Sequence, residues 1–235
     1  MKIKSLGSGS TGNCYLVEQD GITYILDAGV DFKKIISNIN LNKVDFAFIS
    51  HEHKDHSLNQ EKLVLRGVKV IEGRNTQVFS KNENLSQFYP NMSIFTFPIE
   101  HGECQNAGLI VKTKNECLLY CTDFNVCRYD LSDFKFTHII VECNYQEDLM
   151  QHAPTDYKRL RQINTHMGFE GLKIFMSHLD LSCCEWILLV HLSTEAELID
   201  RDTLGLKAKL EWHKKIGVAK QRGGIDWYGS RKESI

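Results

Sequence analysis

The stretch His51-Glu52-His53-Lys54-Asp55-His56 gathers three imidazoles and the Asp55 carboxylate immediately after the apolar run 44–49. Imidazole nitrogens and carboxylate oxygens are ligands for zinc, manganese or iron. Surface loops also collect His and Asp. An apolar, strand-like run that empties straight into H-x-H-x-D-H is nevertheless poorly explained as solvated decoration, so this stretch is the candidate metal centre.

Four more ligand-type residues fall where strand-like runs end: Asp27, His101, Asp123 and His191. Taken singly, each is more often a satisfied polar residue at the end of a strand. Repeated four times, the pattern suggests rigid elements delivering side chains to one rim. His166 is a candidate for contacting a scissile group or protonating a leaving group, weighed against a loop histidine with no such role. His178 copies the surroundings of His191 superficially, but it lies in the amphipathic run 168–179, away from a strand end, and reads as a helix-surface histidine. His138, His152 and His213 have no evident partners.

The elements that must position these residues are short. Residues 2–6, 14–18, 22–26, 44–49 and 68–71 read as strands in the first third, with a hairpin turn at Asp20-Gly21 and a short helix over 32–39. Residues 81–90 are polar and read as loop. Residues 93–99, 107–113, 117–122, 138–142 and 185–191 carry the β-branched and aromatic residues of strands. Residues 156–164 and 168–179 read as helices, as does 195–215, although Gly205 weakens that last pattern. Two groups of strands, each with flanking helices, predict two sheets packed face to face with helices outside: an α/β, four-layer αββα sandwich in one domain spanning residues 1–235.

Composition narrows the class. The chain is 42% apolar and 25% charged, as ordinary globular proteins are, and no apolar run approaches the length of a membrane span. The formal charge of -2 supplies no broad basic field, so a nucleic-acid partner would have to be held by a local patch or by the metals. The start, Met1-Lys2-Ile3-Lys4-Ser5, has no apolar signal region, and none of the cysteines forms a C-x-x-C pair. Both point to reduced thiols and a cytoplasmic protein, and away from a Cys-ligated zinc.

Gly7-Ser8-Gly9-Ser10-Thr11-Gly12 matches the dinucleotide fingerprint G-x-G-x-x-G literally. The next residues, Asn13-Cys14-Tyr15-Leu16-Val17, read as a strand. No helix N-terminus would receive a pyrophosphate, so the loop is expected to be a tight inter-strand connection, placed to line the site.

The chain resembles the metallo-β-lactamase superfamily. His51, His53, Asp55 and His56 match its H-x-H-x-D-H motif, and Asp27 matches the aspartate that closes its second strand. Within it, the chain is similar to the YycJ (WalJ)-like branch through residues 5–17, Thr122-Asp123-Phe124, Glu142-Cys143-Asn144, Thr165-His166-Met167 and Val190-His191-Leu192-Ser193. It departs from that branch at Thr165, where the branch usually has Gly, and at Gly168, where it has Ser. Asn125 also stands where a Gly is expected.

The resemblance implies a four-layer fold and two divalent metal ions, zinc or manganese. His51, His53 and His101 would hold one, Asp55, His56 and His191 the other, and Asp123 would bridge both. It implies a hydrolase whose nucleophile is a metal-bridging hydroxide, with Asp55 and His166 as catalytic residues. The branch is associated with exonuclease activity, which makes a phosphodiester, DNA above all, the expected substrate, with no membrane partner. The same metal core supports hydrolysis of a small thioester, lactone or lactam, and a degenerate scaffold would leave a non-catalytic metal-binding protein.

Overall fold

The computed structural model describes residues 1–75, 80–81, 91–152, 156–194, 198–220 and 226–229. In it β1 (Lys2–Gly7) pairs antiparallel with β2 (Cys14–Gln19). At Asp20-Gly21 both φ values are positive, 46° and 85°, and the chain turns straight into β3 (Ile22–Leu26) as an antiparallel hairpin. Then come β4 (Phe46–Ile49), β5 (Val70–Glu72), β6 (Ser80–Lys81), β7 (Ser93–His101), β8 (Cys104–Lys112), β9 (Cys117–Cys121), β10 (His138–Glu142), β11 (Trp186–Val190), β12 (Lys215–Val218) and β13 (Asp226–Gly229). They form a sheet of order β13-β1-β2-β3-β4-β5 and a second of order β12-β11-β10-β9-β8-β7-β6.

The sheets pack face to face. Tyr15, Val17, Tyr24, Phe46 and Phe48 of the first meet Ile94, Leu109, Val111, Leu118, Tyr120, Ile140, Leu188 and Val190 of the second. On the outer face of the first sheet, Ile35 of α1 (Phe32–Asn38) and Leu63 of α3 (Gln60–Leu65) pack on Leu16, Ile25 and Ala47; α2 (Lys54–Ser57) lies between those two helices in the chain. On the outer face of the second sheet, α5 (Phe169–Ser177) and α6 (Arg201–Trp212) lay Leu172, Met176, Leu204 and Trp212 against Leu119, Ile139, Val141 and Leu189. α4 (Asp156–Thr165) packs beside β7. The layers are helices, sheet, sheet and helices, as expected. No helix among the described residues is long and apolar enough to cross a membrane.

Both sheets are part parallel. β3, β4 and β5 run parallel in one, and β9, β10, β11 and β12 in the other. The C-terminal ends of parallel strands therefore gather at one edge, the edge at which parallel sheets place their ligands. Two expectations need correction. β4 is shorter than the run 44–49, because Leu41–Lys43 form a 3-10 turn. The last helix starts at Arg201, where Asp200 caps it by accepting from the amides of Asp202 and Thr203, and it gives way to β12 where helix was expected through 215. The polar stretch 81–90 lies outside the described residues, except that Lys81 sits in β6.

Candidate metal centre

Three acceptor-rich residues just past strand ends take up a left-handed backbone: Asp27 at φ 56°, Asp123 at 50° and His191 at 51°. Asp, Asn and His tolerate this region best among non-glycine residues, at about 1 kcal/mol each. The turn redirects a side chain that would continue the pleat toward the edge of the sandwich. Each turned backbone is held. Asn106 Nδ2 donates to the Thr122 and Asp123 carbonyls at 2.8 and 2.6 Å. The His191 amide donates to Ser8 Oγ at 2.8 Å, while Asn144 Nδ2 donates to its carbonyl at 2.7 Å. The Asp27 amide donates to the Phe48 carbonyl at 2.8 Å.

The H-x-H-x-D-H stretch enters from β4. His51, His53, His101 and Asp123 bring one ligand atom each within 4.8 Å of one another. Asp55, His56, Asp123 and His191 do the same. Asp123 belongs to both groups. Its Oδ2 lies 4.0 Å from His51 Nε2 and 3.8 Å from His101 Nε2. Its Oδ1 lies 3.3 Å from His56 Nε2 and 3.2 Å from His191 Nδ1. All seven residues singled out as ligands thus meet at one place.

The rings are aimed from behind. His56 Nδ1 pairs with Asp27 Oδ2 at 2.6 Å, and that carboxylate also accepts from the Tyr120 hydroxyl at 2.5 Å and the Ser50 hydroxyl at 3.0 Å. His101 Nδ1 donates to the Thr165 carbonyl at 2.7 Å. Such outer bonds fix an imidazole's orientation and leave its other nitrogen for a ligand role.

A third group, Glu142, His166 and His191, adjoins these two. Glu142 ends β10 and is fully buried. Its Oε1 lies 2.6 Å from His166 Nδ1 and 2.9 Å from His191 Nδ1, and its Oε2 accepts from the Phe124 amide at 2.8 Å. Sequence reasoning gave Glu142 no role, although it shows the same signal as Asp123, an acid at the end of an apolar strand. Asn13 was missed too: its Nδ2 lies 2.9 Å from His56 Nε2, and its amide donates to the Asp55 carbonyl at 2.7 Å. The loop Gly7–Gly12 joins two antiparallel strands and lies under the site through Ser8, so the dinucleotide match has no helix behind it.

Charge sorts the imidazoles. Burial, then the neighbouring His56, pushes His51 down to about 2, and burial also lowers His101, so both are neutral donors. Burial opposes a charged His191, yet Asp123, Asp55 and Glu142 outweigh it and raise it to about 10. His56 is likewise raised, Asp123 and Asp27 overriding burial. Burial would raise Asp123 as well, but His191 and His56 hold it well below the usual carboxylate range. The arrangement fits divalent cations: five imidazoles and two carboxylates converge, and His191 Nε2 is buried with no hydrogen-bond partner.

Three other histidines stand apart from these groups. His178 is exposed, one residue past α5, in a groove with the 125–132 loop. His138 is buried at the start of β10, and His213 caps α6. The side chain of His152 lies outside the described set. All eight cysteines are unpaired thiols.

The Metallo-beta-lactamase superfamily model matches residues 7–117. No curated protein matches the chain in sequence. Among solved structures, the metallo-beta-lactamase fold protein YhfI from Bacillus subtilis aligns with TM-score 0.68 at 16% identity, covering 97% of this chain and 99% of its own. Human tRNase Z, short form, aligns with TM-score 0.59 at 12% identity over 97% and 99%. A diphosphatase from the PhnP family aligns with TM-score 0.59 at 15% identity over 98% of each chain. At these identities the likeness is one of fold: the chain has the metallo-beta-lactamase fold, and the superfamily model matches it over residues 7–117.

Proposed function

We propose that this chain is a dinuclear metal-dependent hydrolase of phosphodiester bonds, with DNA the favoured substrate, and that residues 1–235 form one domain of the YycJ (WalJ)-like branch acting in the cytoplasm. The observation that carries the reading is the single carboxylate, Asp123, facing two donor groups with one oxygen each. His51, His53, His101 and Asp123 would hold one ion. Asp55, His56, His191 and Asp123 would hold the second. Zinc and manganese both suit this nitrogen and oxygen set. Two bound divalent cations make hydroxide available from water near neutral pH and neutralise charge on a phosphoryl group.

The chain's own residues do the rest. Asp55 is the more open of the two site aspartates, its side chain 24% exposed against 3% for Asp123, and it orients the attacking water. His166 lies at the rim, and its Nδ1 pairs with Glu142 Oε1 at 2.6 Å, which aims the ring so that its Nε2 can serve the leaving oxygen as a general acid. Superfamily members are mostly metal-dependent hydrolases, and two of the similar structures are a tRNase and a diphosphatase, which supports a phosphate ester over an acyl substrate.

The test is turnover of bis(p-nitrophenyl) phosphate and of labelled DNA and RNA by chelated and metal-reloaded protein, beside a chromogenic β-lactam and a thioester. Phosphodiester cleavage that EDTA abolishes and Mn²⁺ or Zn²⁺ restores is expected. Ready thioester or lactone cleavage with no phosphodiester cleavage would replace this reading with small-molecule hydrolysis.

A further inference from the structure

Helix α4 runs directly into His166. Its last turn is tied to the metal centre three times: His101 Nδ1 donates to the Thr165 carbonyl at 2.7 Å, Asn125 Nδ2 donates to the Asn164 carbonyl at 2.6 Å, and Gln162 Nε2 bonds Asn144 Oδ1 beside His191. Away from those ties several of its described side chains are exposed. Tyr157 is 76% exposed and Leu160 59%, and Ile163, Arg161 and Asn164 are exposed as well. Tyr157, Leu160, Arg161 and Asn164 share one face by their spacing, which runs roughly 10 Å from Tyr157 to the junction with the site.

The helix is also locally basic. Residues 156–165 hold Lys158, Arg159 and Arg161 against Asp156 alone, in a chain of net charge -2. An aromatic ring and an arginine on one face, next to a phosphodiester-cleaving centre, form a platform that stacks an unpaired base and meets its backbone. Bases in a duplex are already stacked and offer no face to Tyr157.

We propose that the exposed face of α4 docks a single strand of nucleic acid and leads it to the metal centre, with Tyr157 stacking a base and Arg161 contacting phosphate. This inference rests on the phosphodiester reading of the site and names the form of its substrate.

The test uses the full chain and short, fluorescently labelled, phosphorothioate-backed oligonucleotides, which resist cleavage, so that binding is read apart from turnover. Tyr157→Ala should weaken single-strand binding about tenfold. Arg161→Gln should weaken it for all sequences and lower the slope of log affinity against log salt by about one. Leu206→Ala, an exposed leucine on α6, should change neither. Hydrolysis of bis(p-nitrophenyl) phosphate, too small to reach α4, should be unchanged in all three. Oligonucleotide binding absent from the parent, unaltered in the α4 variants, or lost equally for duplex and single strand overturns the proposal. So does a dimer that Tyr157→Ala splits with oligonucleotide affinity intact, since the face would then serve a second copy. If bis(p-nitrophenyl) phosphate is not hydrolysed, the phosphodiester reading fails, while the binding measurements still judge the helix.

Discussion

Asp123 is the residue on which the two-metal reading turns, and substitutions can separate its duties from its neighbours'. Asp123→Asn removes the charge shared by both donor groups, so the loaded protein should lose metal from both. His191→Ala should chiefly empty the group that also contains Asp55 and His56. Elemental analysis after loading distinguishes the two outcomes; one ion per parent chain, indifferent to His191→Ala, would end the dinuclear reading. His166 is different. It lies at the rim with Glu142 behind it, so His166→Ala should lower turnover about a hundredfold with metal content unchanged, the scale of a lost general acid. His178→Ala should do little, since that side chain is exposed outside the donor groups. At this scale the residues that converge at the sheet edge were legible because their chemistry is printed in their types and in one dense stretch. Glu142, Asn13 and Ser8 were not assigned, because each acts through a partner remote in sequence: Glu142 through His166, Asn13 through His56, Ser8 through His191.

The elements carry the site by close backbone approach, and glycine marks where. A Cβ added to Gly29 would stand 1.7 Å from the Asp55 carbonyl oxygen, so Gly29→Ala must push the Asp55-His56 backbone outward. Metal content should fall while far-UV circular dichroism stays near that of the parent. Gly21→Ala is the control. Its residue sits at φ 85° with nothing within 4 Å, so it should cost about 1 kcal/mol of stability and no metal. Equal metal in both variants would show that the loop can give way. The hairpin at Asp20-Gly21 and the strands of the double sheet were readable because turn chemistry and apolar runs are local signals. β6, β12 and β13 were not. They are two to four residues long, and β13 becomes a strand only by pairing with β1 at the opposite end of the chain. The overlong reading of α6 has a related cause: a helical pattern shows no stop where the next strand is specified by its partner, here β11.

At the scale of the molecule, the donor groups bind the two sheets together, His51, His53, Asp55 and His56 coming after β4 of one and His101, Asp123 and His191 ending strands of the other. Ions that bind only this assembled state add to its stability; at a hundredfold excess over Kd the gain is about 2.7 kcal/mol per site, or roughly 5–10 °C in Tm for a chain of this size. A Tm indifferent to EDTA and to reloading would deny the clamp. Acid should act elsewhere as well. His138 opens β10, buried, with Nδ1 2.9 Å from Thr137 Oγ1 and Nε2 without a partner. Burial, reinforced by the positive N-terminus, lowers it from 6.5 to about 4. The folded state therefore prefers the neutral ring, and the unfolded chain binds the proton more readily. The stability this group contributes is intact above pH 6.5, drains away as pH falls toward 4, and amounts to about 3 kcal/mol in total. His138→Gln, which cannot titrate, should flatten the stability curve between pH 6.5 and 4 relative to the parent, by urea denaturation in EDTA so that metal loss does not contribute. Parallel curves for the two proteins across that window would mean that the buried ring takes up its proton without cost, and that acid sensitivity arises wholly from the cluster at the sheet edge.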